Sequence, residues 1–169
     1  MAGTRGRGAL GRAILGSTAA ELLRKSPVPL MIVPPSHPEV IALGVTRAQP
    51  HVGIILAAVD MSPASERQLA WAARLTPASD HHLLLLHVVA DEAQHAHALE
   101  RMNAAARQIT TASGSRLLVR VGAPAEQVLY VAGREKGLGV VVVGRSSDEP
   151  GKLAYELLRL DRVVVAMVP

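Results

Sequence analysis

The chain has 169 residues, with 18 Lys and Arg against 14 Asp and Glu, no Cys, no Phe, one Trp and two Tyr. That length holds one full domain plus a fragment but hardly two full domains. The absence of cysteine excludes disulfides and thiolate metal sites and fits a reducing, cytoplasmic setting.

The net charge of +4 is localised: in residues 1–25, Arg5, Arg7, Arg12, Arg24 and Lys25 stand against Glu21 alone, and beyond them acids and bases balance. Such an end is either a solvated basic segment or a set of counter-charges for phosphate. A nucleic-acid patch is disfavoured, because no aromatic residue interleaves with these cations for stacking. The stretch is Arg-rich and acid-poor, as transit peptides are, yet the PLMIVP that follows reads as a folded strand. No apolar run approaches the roughly 18–20 residues needed to cross a membrane.

The first stretch, GTRGRGALGRAILGST, carries Gly3, Gly6, Gly16 and Ser17 in the spacing Gly-x2-Gly-x9-Gly-Ser. Glycines so placed let backbone N–H groups approach a ligand closely. A Gly-Ser pair at a helix start adds orphan donors, a hydroxyl and the positive end of a dipole, which together suit phosphate. Leu15, Ala19, Leu22 and Leu23 recur at helical spacing, with Arg24 and Lys25 in the last turn, and Ser26-Pro27 stops the helix. Residues 30–33 read as a strand and 35–50 as a linker. The apolar side of the helix over 15–25 is expected to be exposed, predicting self-association.

A regular alternation begins at His51. Strands are expected over 52–59, 82–89, 116–121, 139–143 and 163–168. Helices are expected over 63–75, opened by Ser62-Pro63, over 91–111, over 124–136, and as a shorter one before the last strand. The strands are continuous apolar runs rather than alternating ones, so both faces are buried. That implies an α/β fold, a parallel sheet with helices on both sides.

Residues 16–34 and 151–169 are an internal repeat. Gly16, Ala19, Glu21, Leu22, Leu23 and Arg24 match Gly151, Ala154, Glu156, Leu157, Leu158 and Arg159, and both segments end in Val-Pro. The repeat points to duplication: residues 1–34 read as the C-terminal loop, helix and last strand of one domain, and 51–169 as a complete second one. Residues 30–33 and 163–168 are then equivalent apolar edges, expected to pair antiparallel within the chain.

The glycine pattern, VDMSPAS, LLLLHVV, VGAPAEQV and the VVVVG strand together make the chain resemble the universal stress proteins, over nearly everything but the linker. The resemblance implies a Rossmann-like five-stranded parallel sheet in the order 3-2-1-4-5 and dimerisation through the last strand. It also implies ATP, with Mg, bound at the carboxyl ends of the strands. The phosphate loop falls on Gly3, Gly6, Gly16 and Ser17, and the adenine and ribose contacts on Asp60 and Val88. Gly144 begins the second domain's own loop, but there Ser147 stands where the next glycine belongs. Gly144 and Gly151 are seven positions apart against thirteen between Gly3 and Gly16, and Lys152 replaces the serine. The chain thus carries two half-sites expected to lie on different sheets. Asp60 has an equally good structural role as a helix cap. The resemblance further implies a partner, either a second copy or another universal stress protein. Met1 sits where a fourth strand of the first domain would end, so the chain is either a tandem protein reduced to one domain and the tail of another or a piece with more upstream, acting as a dimerisation partner only.

Other motifs carry less. GRGALG matches G-x-G-x-x-G, but no strand precedes it. No Walker sequence is present. His81-His82 and His95-x-His97 lack the spacing that puts two ligands on one helix face. No nucleophile–base pair emerges, and the chain reads as non-catalytic, with weak ATP hydrolysis as the competing activity.

Overall fold

The computed structural model describes residues 2–3, 17–34, 53–76, 83–109, 115–145 and 152–169, with only the backbone of Ala2, Gly3 and Ser17. In chain order the elements are β1 (Ala2–Gly3), α1 (Ser17–Lys25), β2 (Leu30–Val33), β3 (Ile54–Val59), α2 (Pro63–Leu75) and β4 (Leu83–Val89). There follow α3 (His95–Gln108), β5 (Ser115–Val121), α4 (Pro124–Arg134), β6 (Leu138–Gly144), α5 (Lys152–Leu158) and β7 (Val164–Val168). The helix expected from residue 91 starts instead with a 3-10 turn, Glu92–Gln94. The Asp91 carboxylate accepts from Gln94 N–H there, and the α-helix begins only at His95.

All strands join one sheet in the order β1-β2-β7-β6-β3-β4-β5. From Ile54 onward the five strands are parallel, and they run third, second, first, fourth, fifth across the sheet. The expectation of a five-stranded, wholly parallel sheet is corrected. The sheet has seven strands and is mixed, because β2 pairs antiparallel with β7 and β1 adds in parallel to β2. Val164–Val168 is buried at every position, so leaving it as an edge would expose apolar surface and a row of unpaired backbone groups. The intrachain antiparallel pairing expected between these two segments is what covers it.

Helices α1, α4 and α5 cover one face, where Ala19, Leu23, Val131, Ala132, Leu157 and Leu158 pack on Ile32, Leu56, Leu86, Val141 and Met167. Helices α2 and α3 cover the other, with Leu69, Ala72, Ala98 and Met102 against Ile55, Ala57, Leu85, Val142 and Ala166. The core is thus aliphatic, as the scarcity of aromatics requires. Ala19 and Leu23 of α1 are buried, which corrects the expectation of an exposed apolar face on that helix; of its described leucines only Leu22 is exposed. The reason is the strand addition: once β2 docks on β7, α1 lies over the same face of the sheet as α5.

The register carries the repeat into three dimensions. Ala2 and Gly3 pair with Ile32 and Val33 as Val143 and Gly144 pair with Met167 and Val168, and these are equivalent residues of the two segments. Between the segments, Leu30, Met31 and Ile32 face Met167, Ala166 and Val165. Met31 and Ala166 are equivalent, so the pairing is centred on them and self-complementary, with the geometry of a two-fold contact.

Candidate functional site

The strand order reverses at β3, which has β4 on one side and β6 on the other. Open α/β sheets bind ligands at such a place, outside the carboxyl ends of the strands. A cavity of about 520 Å³ lies there, bounded by Asp60, Ser62, Gln68, His87, Val88, Gly144 and Arg145, among others. The volume falls in the range of small-molecule sites. A larger cleft of about 750 Å³ runs between α2 and α3, lined by Ala70, Ala73, Ala104 and Ala105, with Arg101. That cleft lies between the two helices of one face rather than at the strand ends, and its polar lining comes from Ser62, Ser65, Glu66, Arg101 and Gln108.

Asp60 ends β3 and shapes the turn into α2. Its Oδ1 accepts from Ser62 N–H at 2.9 Å and from Ser65 Oγ–H at 2.6 Å. Met61 between them has φ 61°, the left-handed region that non-glycine residues seldom occupy. The Asp60 bond across it and Arg101 Nη2, donating to Met61 O at 2.8 Å, hold it there. Pro63 in the first helical turn costs no hydrogen bond, since that N–H would be orphaned anyway. Burial acts to raise the Asp60 carboxyl, but the hydrogen bonds from Ser62 and Ser65 outweigh it and hold it below the usual carboxylate range. Asp60 therefore performs the structural role and also faces the cavity.

On β4, His87 Nδ1 lies 2.8 Å from Val59 O. A carbonyl only accepts, so Nδ1 carries the proton and ties the ends of β3 and β4 together. Val88 and Leu86 with Val128 of α4 provide apolar wall. On β6, Gly144 stands beneath Gln68, whose Nε2 would meet an added Cβ at 1.9 Å. Arg145 N–H donates to Val168 O at 3.1 Å, extending the β6–β7 ladder. Its guanidinium donates to Arg24 O at 3.0 Å and Ser26 O at 2.8 Å, satisfying carbonyls at the end of α1 with a cation, as the helix dipole favours.

The structure thus brings Asp60, Val88 and Gly144 to one cavity. It does not bring Gly3 there. Gly3 is three strand spacings from β6, roughly 14 Å, and because β2 runs antiparallel to β7 its carboxyl end lies at the opposite end of the sheet. Gly6, Gly16 and the side chain of Ser17 lie outside the described residues, as do Ser147, Gly151, His81 and His82. Among the described residues no group of three or more His, Asp or Glu is placed to hold a metal, and no helix is long and apolar enough to cross a membrane.

The sequence profile of the Universal stress protein family matches residues 1–34. Over those residues the chain carries the sequence signature of the universal stress proteins. In fold it is similar to the universal stress protein UspA from Lactobacillus plantarum, with 19% identity, a TM-score of 0.59, and coverage of 70% of this chain and 98% of that one. A universal stress protein from Archaeoglobus fulgidus DSM 4304 is matched over 98% of this chain, with 19% identity and a TM-score of 0.71, and this chain spans 59% of its length. A universal stress protein in complex with cAMP is matched at 21% identity and a TM-score of 0.54, over 69% of this chain and 96% of that one. No curated protein matches the chain in sequence.

Sequence reasoning passed over Gln68, His87 and Arg145. Gln68 left a signal: Ser65, Gln68, Leu69 and Ala72 recur at the spacing of one helix face, so a carboxamide stands in a stripe otherwise of small or apolar residues. Arg145 left none, because its partners are more than a hundred residues away.

Proposed function

We propose that this chain is a non-catalytic nucleotide-sensing module of the universal stress type, and that the cavity at the strand reversal takes the nucleoside end of an adenine nucleotide. The observation that carries this is the convergence of Asp60, Val88 and Gly144, from three different strand ends, on one cavity. In this reading Asp60 accepts from ligand N–H or hydroxyl groups through the oxygen not committed to Ser62 and Ser65. Leu86, Val88 and Val128 enclose the base, and Gly144 admits the ligand's close approach. The relative bound to cAMP lends the reading support. The residues present suit the nucleoside better than the Mg-triphosphate. Asp60 is the only acidic side chain lining the cavity among the described residues, and two N–H groups of the Arg145 guanidinium are held by carbonyls at the end of α1.

In the same reading residues 51–169 are a complete domain, and 1–34 are the end of a duplicated one whose first loop residue, Gly3, lies at the other end of the sheet. Cytoplasmic residence belongs to this reading as well. The test is calorimetric titration of the chain and an Asp60→Ala variant with adenosine, AMP and Mg-ATP. Binding is expected, weakened roughly tenfold by the substitution, which is the scale of one charged hydrogen bond. Phosphate release from ATP should stay at background. No binding of any of the three by the folded chain would reject the sensing function.

A scaffold reading is favoured by a separate observation, the self-complementary register centred on Met31 and Ala166. Equivalent strands that pair within one chain can pair between chains, with a second copy or another universal stress protein as partner. Sedimentation over micromolar concentrations tests it, and a monomer throughout would remove it.

A further inference from the structure

Met61 stands in a conformation that its own chemistry does not favour. At φ 61° it lies in the left-handed region, which glycine enters freely and methionine enters at a cost. Two hydrogen bonds close on it. The Asp60 carboxylate spans it, Oδ1 accepting from Ser62 N–H at 2.9 Å, and Arg101 Nη2, 40 residues further along the chain, donates to its carbonyl at 2.8 Å. Its side chain packs against the core beneath α2 and α3, a contact that glycine would not supply. Arg101 lies on α3 and lines the cleft between α2 and α3, but it does not line the cavity of Asp60. Its route to that cavity is therefore the turn Asp60-Met61-Ser62. Without the guanidinium, the Met61 carbonyl loses the donor that fixes its peptide plane. Relaxation of Met61 out of the left-handed region rotates that plane and draws Ser62 N–H away from Asp60 Oδ1, leaving Ser65 Oγ as the remaining donor.

We propose that Arg101 is a positioning residue for the nucleoside site: by holding Met61 in the left-handed region from α3, it fixes the carboxylate of Asp60 at the cavity. This rests on the nucleotide-binding reading above, while the placing of Asp60 is measurable without ligand.

The test makes Arg101→Ala in the unsubstituted chain and in Met61→Gly and Met61→Asn backgrounds, since glycine and asparagine accept the left-handed region more readily. Two quantities are read, adenosine affinity by calorimetry and the titration of the Asp60 carboxyl by NMR. In the unsubstituted chain Arg101→Ala should weaken adenosine binding roughly fivefold, the scale of one hydrogen bond. The Asp60 titration should move up toward the ordinary carboxylate value, because burial already acts to raise it and the opposing bond from Ser62 is the one lost. Arg101→Lys, which keeps the charge and a donor, should recover binding to within about twofold. In both Met61 backgrounds Arg101→Ala should change affinity by less than about twofold and leave the Asp60 titration in place. The positive charge is lost there too, so a shift confined to the methionine chain comes from the turn and not from the charge. Affinity and titration that Arg101→Ala leaves unchanged, or an equal change in all three backgrounds, overturns the positioning role and leaves nucleoside binding standing. Failure of the unsubstituted chain to bind adenosine overturns the nucleotide reading, and the titration then decides alone whether Arg101 sets Asp60.

Discussion

A methyl group added at Gly144 tests whether this glycine is needed for room or for backbone freedom. Gly144 is not among the described glycines with positive φ, which are Gly122 and Gly137, so its backbone makes no demand that alanine cannot meet. Space is another matter. The new Cβ of Gly144→Ala would stand 1.9 Å from Gln68 Nε2 and 3.0 Å from its Cδ. The obstacle is the end of a side chain, which on a surface would swing aside cheaply. Here the side chain is 5% exposed and confined by the sheet beneath α2. Relief therefore requires an off-rotamer Gln68 or a shift of α2, and such overpacking costs about 1–3 kcal/mol. For a chain of this size the melting point should fall by roughly 3–9 °C. In a Gln68→Ala background the amide is gone and the same methyl should cost less than about 0.5 kcal/mol, a coupling of about 1–2 kcal/mol between the sites. Urea unfolding of the four proteins closes the cycle. An equal cost of Gly144→Ala in both backgrounds would refute the steric argument and return Gly144 to the role of a conformationally free loop residue.

Arg145→Ala removes two hydrogen bonds from a cation to the end of α1. Both are partly solvent-accessible, so the loss should be about 1–2 kcal/mol. It should be local: amide exchange should quicken through α1 and β2 and stay unchanged in β3, whereas a uniform rise would contradict the tie. Asp60 supplies a pH signature. Its folded carboxyl lies below the ordinary value of about 3.9, so its contribution to stability is fully present above that value and disappears as pH falls through the lower, folded value. The stability difference between the chain and Asp60→Asn, followed by denaturant titration, should hold near neutrality and shrink in acid below about pH 4. A difference that grows in acid would reverse the assignment. Because Asp60 is exposed, the effect will be modest.

By itself the sequence determined the alternation of strand and helix. Continuous apolar runs such as LLLLHVV and VVVVG can be covered only from both faces, and Ser62-Pro63 and Pro124 mark helix starts by local chemistry. It also held the equivalence of β2 and β7, since a repeat is readable in one dimension and equal apolar edges seek the same pairing. Asp60 was legible as a strand-end acid, together with its alternative role in the turn. What the tertiary structure decided was each outcome that depends on contact between distant segments. Docking of β2 on β7 made one seven-stranded sheet of two readings, buried Ala19 and Leu23, and sent Gly3 to the opposite end from Asp60. Arg145 read as one more basic loop residue until Arg24 O and Ser26 O came within its reach. Gln68 became a buried carboxamide standing over Gly144, with no donor beside its oxygen among the described residues, only once α2 had packed on the sheet. Periodicity reports which face of an element is buried, because that repeats along the chain. What a buried polar group meets there is set by the other strands and helices, and no local pattern encodes it.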